Sequence, residues 1–254
     1  MALLAVGLAL AETRESRLAM GTIVGVTVRD DAGDVAADVE AAYAEIERWE
    51  ALLSEWRPDS LTSRLNAEGV ATFPDVRVFR VGLEVAEASG GAFSLTWRGG
   101  AVTIDGDTVR ATGEVGLGGV LKGFLADRAA EVLTSRGRRE FLIDAAGDLV
   151  ARGAWDVDLP ALGLRVRLVD AALSSSGDDQ QPGHVRDPRT GEPVTCSRAA
   201  SVVAADGAHA DALATAVFAA CDARLAERFG AKAVRLDAGG RLRWSRGAKR
   251  NFRR

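Results

Sequence analysis

Two hydrophobic rhythms interleave along the chain without a repeating strand–helix–strand period, and this restricts the fold more than any other feature. Helical spacing runs through Val35, Val39, Ala42, Ile46, Trp49 and Leu53, with Asp34 placed to cap the segment. Val76 to Ala88, stopped by Gly90-Gly91, and Gly123 to Leu133 read as further helices, and Ala210 to Arg228 as a long one. Between them lie short strand-like runs: Thr22 to Val28, Phe141 to Asp144, Leu164 to Val169 and Ser201 to Ala205. Asp105-Gly106 joins two strand patterns between Ala101 and Thr112 in the manner of a hairpin, and Ala233 to Leu236 with Leu242 to Trp244 suggests a closing one. Ser60 to Asn66 fits a short helical turn. Strands and helices mixed in this way predict an α+β fold, a single domain with a mixed or antiparallel sheet and packed helices.

The expected layout is one domain over residues 20–245, a signal-like or disordered segment over 1–19 and a basic tail over 246–254. With 254 residues, 47% of them hydrophobic and 27% charged, the chain can bury an ample core unaided. A net charge of −4 repels nucleic acid rather than collecting it. Seven cationic side chains between Arg241 and Arg254 are expected to form a solvated, frayed end. Ala2 to Ala11 is an apolar run ending in Ala9-Leu10-Ala11, which resembles a secretory signal and its cleavage site and is too short to span a bilayer. A periplasmic or exported protein is therefore expected, although no cationic residue precedes the run and a cytoplasmic location stays open. Cys196 and Cys221 lack Cys-x-x-Cys spacing, which argues against a zinc or redox centre; joined as one disulfide they would need an oxidising compartment.

Three segments carry residues suited to chemistry. In Ala210-Asp211-Ala212-Leu213-Ala214-Thr215-Ala216, helical i,i+4 spacing makes a carboxylate and a hydroxyl neighbours among alanines, leaving room for a hard cation such as magnesium. Helix capping and methyl packing would explain the same pair. Gly116-Leu117-Gly118-Gly119-Val120-Leu121-Lys122-Gly123 places a glycine turn and a cation before a helix, where backbone N–H groups can approach phosphates. It matches neither Gly-x-Gly-x-x-Gly nor the Walker pattern, and a plain tight turn fits equally well. Ser174 to Asp178, followed by His184-Val185-Arg186-Asp187-Pro188-Arg189-Thr190-Gly191, combines small donors with a histidine able to exchange protons near neutral pH. Ser175, Ser176 and the Gly177 amide are candidate phosphate donors. The other histidine, His209, reads as a surface residue.

In this order the segments resemble the FAD:protein FMN transferase family, known in older naming as the periplasmic thiamine-biosynthesis lipoproteins. The resemblance runs from residue 20 to about 220: Met20-Gly21-Thr22; Leu53, Ser54, Trp56, Pro58, Ser60, Leu65 and Asn66; Gly91 to Thr96; Gly116 to Gly123; Ala146-Gly147-Asp148; Ser175 to Asp178 with His184 to Gly191; and Ala210 to Ala216. It implies magnesium held by Asp211, Thr215 and the Gly119 carbonyl. It also implies FAD, as substrate, in contact with Met20, Trp56, Ala92, Phe93, Ser94, Lys122 and His184, with Ser176 and Gly177 near its phosphates. FMN would pass to a threonine of an acceptor flavoprotein or redox-complex subunit, membrane-associated partners included, with AMP released and His184 taking the threonine proton.

The chain departs from the family at Ser94-Leu95, where Asp-Pro is usual, at Gly116, where an aspartate that touches FAD is usual, and in a shortened stretch between Thr96 and Val115. Two carboxylates are thus missing from the expected pocket. Alongside FMN transfer, two other functions therefore stay open: FAD pyrophosphatase activity with water as acceptor, and non-catalytic flavin binding.

Overall fold

A computed structural model of the chain describes residues 12–29, 33–97, 99–177, 183 and 185–253. In chain order the elements are β1 (Thr13–Ala19), β2 (Thr22–Val28), α1 (Val35–Leu53), α2 (Leu61–Glu68), β3 (Val70–Thr72), α3 (Arg77–Ala88), β4 (Ala101–Asp105), β5 (Thr108–Thr112) and α4 (Leu121–Ser135). There follow β6 (Phe141–Ala145), β7 (Asp148–Arg152), β8 (Ala154–Leu159), β9 (Leu164–Val169), β10 (Ala172–Gly177), β11 (Ser197–Ala204), α5 (Gly207–Ala220), β12 (Lys232–Asp237), β13 (Leu242–Trp244) and β14 (Phe252–Arg253).

Eight strands build the central sheet in the order β1-β2-β6-β7-β10-β11-β12-β13, every neighbouring pair antiparallel. One face carries α1, α4 and α5 over the larger core, with Val24, Val26, Ile143, Val150, Ala200 and Val202 pointing into it. Alternate residues, among them Leu149, Ala151, Leu173, Ala199 and Val203, point the other way into a second core beneath the small sheet β14-β9-β8. Burial on both faces explains why β11 reads as a nearly continuous apolar run rather than an alternating one. The third sheet, β3-β5-β4, lies beside α2.

The expected α+β fold with an antiparallel sheet and packed helices is the one observed. Local chemistry sets several boundaries. Asp34 accepts the Ala37 N–H at 3.0 Å and starts α1, and Ser60 accepts the Ser63 N–H at 2.9 Å and starts α2, a full helix where only a turn was expected. The long helix expected to reach Arg228 stops at Ala220. Cys221 there adopts a left-handed conformation (φ 58°), and a 3₁₀ segment continues over Ala223–Phe229.

Both ends of the expected layout change. Thr13–Ala19, expected within a signal-like or disordered segment, forms the edge strand β1. The basic tail is not frayed: Phe252 pairs with Val166 of β9, and Ala248 and Phe252 are buried in the second core while Lys249 and Arg253 stay exposed. Two apolar side chains hold the segment in spite of its charge. The signal-like run of residues 2–11 lies outside the described residues. Among those described, no helix is long and apolar enough to cross a membrane. Cys196 and Cys221 are joined in a disulfide, with their Cα atoms 6.0 Å apart, which ties the start of β11 to the end of α5.

Candidate active site

The site grows from the crossing of α4 and α5, which only glycine permits. A Cβ on Gly123 would strike the Gly207 carbonyl, and one on Gly207 would strike the Gly123 carbonyl. At this crossing Asp127 of α4 accepts the Gly207 and Ala208 N–H groups at 2.7 and 2.9 Å and so closes the N-terminus of α5. Burial pushes the Asp127 pKa up to about 7, with those two amides pulling the other way. One turn further along α5, Asp211 is only 4% exposed and accepts the Gly123 N–H at 3.1 Å. Its pKa is pushed up to about 7, chiefly by burial and then by the like charge of Asp148.

Thr215 follows Asp211 by four residues and is the one half-buried position in an otherwise buried run from Ala210 to Ala219. Its Oγ1 lies 3.4 Å from where a Cβ on Gly119 would stand, so the glycine turn and the helix touch here. The Ser176 hydroxyl is 3.3 Å from Thr215 Oγ1. Strand alternation along β10 explains that contact: Ser174 and Ser176 face the helices, whereas Ser175 faces the second core and bonds Ser201 at 2.6 Å. Ser175, a candidate phosphate donor from the sequence, is therefore turned away from the site.

Lys122, at the start of α4, forms an ion pair with Asp148, whose other oxygen accepts the Ser174 hydroxyl. Burial works against the Lys122 ammonium, but the carboxylates of Asp211 and Asp148 outweigh it and hold its pKa above the ordinary lysine value. Burial also raises Asp148, and the Lys122 charge only partly offsets this. The same lysine lines a cavity of about 490 Å³ with Met20, Glu50, Glu55, Trp56 and Gly118. The β1–β2 hairpin delivers Met20 with a left-handed backbone (φ 54°), and the Met20 N–H is fixed by Glu50 at 2.9 Å. Trp56 stands at the rim, 87% exposed.

Of the residues expected in the site, Met20, Trp56 and Lys122 share the cavity, while Gly119, Ser176, Asp211 and Thr215 gather beside it. Ala92 and Phe93 are buried, with the Phe93 ring 3.0 Å from the Cβ position of Gly119. Ser94 is spent on its own turn, its hydroxyl accepting the Thr96 N–H at 3.1 Å. Gly177 ends β10, paired with Ala199. His184 lies outside the described residues. His209, read as a surface residue, is half-buried and held by Asp206 at 2.8 Å and Glu84 at 3.5 Å, contacts that raise its pKa.

Sequence reasoning gave no role to Glu50, Glu55 or the Asp148–Lys122 pair, because their proximity depends on segments far apart in the chain. The side-chain donors gathered at the glycine turn are oxygens alone, the Asp211 carboxylate and the Thr215 and Ser176 hydroxyls. Among the described residues no three His, Cys, Asp or Glu side chains gather in metal-holding geometry, so an ion here would rest on Asp211 with hydroxyl and carbonyl oxygens. That hard, sparse set suits magnesium, which keeps several waters.

A family model for ApbE proteins matches residues 20–102 and 99–238, spanning the cavity, the glycine turn and α5. The chain belongs to the ApbE family. A relative from Treponema pallidum (strain Nichols), the FAD:protein FMN transferase, is 29% identical over 285 residues, covering 82% of this chain and 78% of that protein. The fold matches solved ApbE structures: the apo flavinyl transferase of Pseudomonas stutzeri at a TM-score of 0.84 and 22% identity, covering 95% of this chain and 98% of that one. The ApbE protein of Thermotoga maritima gives 0.81 and 20%, covering 96% and 100%. Within this ApbE fold, Gly116 faces a carboxylate rather than bearing one: its Cβ would stand 3.1 Å from Glu55 Oε2.

Proposed function

We propose that this chain is a magnesium-dependent transferase that splits FAD and attaches the FMN half, through its phosphate, to a threonine of a target protein, releasing AMP. The observation that carries the reading is the double position of Lys122: its side chain lines the cavity and also sits in the field of Asp148 and Asp211. A diphosphate at that lip would meet the ammonium on one side and the Gly119, Asp211 and Thr215 oxygens on the other. Asp211, Thr215 and the Gly119 carbonyl are the proposed magnesium ligands; bound there, magnesium would draw charge from the diphosphate and ease departure of AMP.

Asp148 and Ser174 hold Lys122 in place, so that its charge is oriented before substrate arrives. Ser176 and the Gly177 N–H are the proposed donors to phosphate oxygens, and Met20, Trp56, Ala92 and Phe93 the proposed neighbours of FAD. In the transfer the phosphorus–oxygen bond to AMP breaks, one to the threonine oxygen forms, and the threonine proton goes to His184. The acceptor is a flavoprotein or redox-complex subunit, soluble or membrane-associated. Export to an oxidising compartment such as the periplasm is proposed on the Cys196–Cys221 disulfide together with the signal-like N-terminus.

The test incubates purified chain with FAD, magnesium and a peptide bearing an acceptor threonine. Flavin fluorescence that stays with the peptide after denaturing chromatography, with stoichiometric AMP, is the expected result. Free FMN with AMP would reassign the chain as an FAD pyrophosphatase, and unchanged FAD would leave it a flavin-binding protein.

A further inference from the structure

The cavity contains a carboxylate that the proposed chemistry does not use. Glu55, two residues beyond the end of α1, is half-buried; burial opposes its charged form, while the Leu117 backbone amide is near enough to favour it. Its Oε2 and Oε1 lie 3.1 and 3.8 Å from the positions where Cβ atoms on Gly116 and Gly118 would stand, so the carboxylate occupies space that two bare glycines leave open. No cation neutralises it among the described residues, since Lys122 is committed to Asp148 and Arg57 to Asp59. The neighbouring charge it feels is Glu114, also negative.

An anionic acceptor repels phosphate, so this part of the cavity suits a phosphate-free part of a ligand that carries hydrogen-bond donors. Trp56, the next residue along the chain, offers an exposed indole on the same cavity, a surface for a planar ring. We infer that Glu55 is the residue by which this chain recognises a ring of its dinucleotide, its carboxylate accepting a hydrogen bond from a ring-borne N–H beside Gly116 and Gly118. This rests on the reading of FAD as substrate. FAD has two such rings, the flavin and the adenine, and both carry N–H donors.

Relocating the carboxylate tests the inference. FAD binding, followed by quenching of flavin fluorescence, is titrated for wild type, Glu55→Gln, Glu55→Ala, Gly116→Asp and the double variant Glu55→Ala/Gly116→Asp, each checked for an unchanged melting temperature. Glu55→Ala is expected to weaken FAD binding by about tenfold or more, as loss of a charged hydrogen-bond acceptor does, and Glu55→Gln by less. Gly116→Asp alone weakens binding, because it sets a second carboxylate against the first. The double variant recovers most of the affinity, because the acceptor returns to the same space from the opposite wall; a side chain that only propped up the Leu117 turn would not be rescued in this way. Parallel titrations distinguish the source: a loss seen with FMN assigns the flavin ring, and one seen with ADP the adenine. Binding by Glu55→Ala within twofold of wild type, or a double variant no better than Glu55→Ala, overturns the inference alone. A wild-type chain that binds no FAD removes the parent reading and this inference together.

Discussion

Asp211 concentrates the physical tension of the site in one side chain. Its carboxyl is nearly inaccessible, carries a pKa near 7 and is repelled by Asp148, with Lys122 and backbone amides as its favourable partners. Asp211→Asn keeps an acceptor for the Gly123 N–H while removing the charge. Magnesium affinity measured by calorimetry is expected to fall at least about a hundredfold in this variant, with FAD turnover lost, while the fold persists. The raised pKa also fixes a pH dependence. Because the folded pKa exceeds the ordinary 3.8, the metal-free folded state keeps a proton that the unfolded chain has released, and stability from this source is lost as pH rises from about 4 through about 7. On the proposed reading, magnesium binding at Asp211 displaces that proton, so magnesium affinity is expected to drop about tenfold per pH unit below about 7 and level off above it. A profile without that slope in wild type would show that Asp211 does not ligate the ion. That Asp211 and Thr215 are neighbours was legible in the sequence because four-residue spacing on a helix makes them so, and Lys122 stood out because it follows a glycine turn, but a metal or phosphate role for them was implied only by the family resemblance. Glu55 was not legible, and Asp148 stood out only as part of the Ala146-Gly147-Asp148 segment with no role attached, since nothing local to either says which residues of a distant turn it will meet.

The pair α4 and α5 behaves as one unit because Gly123 and Gly207 let their backbones touch. Gly123→Ala replaces a poor helix former with the best, a gain of about 1 kcal/mol. The added methyl would nevertheless meet the Gly207 carbonyl and come within 2.9 Å of Asp211 Cβ. The clash is expected to outweigh the gain, lowering stability by about 2 kcal/mol in urea titrations and weakening magnesium binding as well, because the helices must separate where Gly123 supports Asp211. A variant as stable as wild type with intact metal affinity would show that this crossing tolerates separation. Periodicity revealed α1, α3 and α4 to within a few residues. It overextended α5, because the Ala-rich pattern carries on past Cys221, where the left-handed backbone ends the helix. It missed β10 as a strand, because a Ser-Ser-Ser run has little strand propensity and is held there by β7 and β11 on either side.

For the whole molecule, the central sheet is a wall between two cores, and the disulfide and the C-terminal strand secure it from opposite sides. Replacing Cys196 and Cys221 with serine frees a loop spanning 25 residues and is expected to cost about 3 kcal/mol, a fall in Tm of roughly 6–12 °C that the same treatment with reductant should reproduce in wild type. No change in Tm on reduction would mean that the bridge is not formed in the isolated protein. The layered architecture was foreseeable only in class: irregular alternation of helices and strands implies α+β, but the closure of the second core by Phe252 was hidden behind the charges around it. The outward turn of Ser175 between two inward serines also limits how the chain can vary over evolutionary time. Inserting or deleting one residue within β10 would exchange the two faces, sending Ser175 toward Thr215 and withdrawing both Ser174 and Ser176, so the length of this strand is fixed by the side chains it must present on each side.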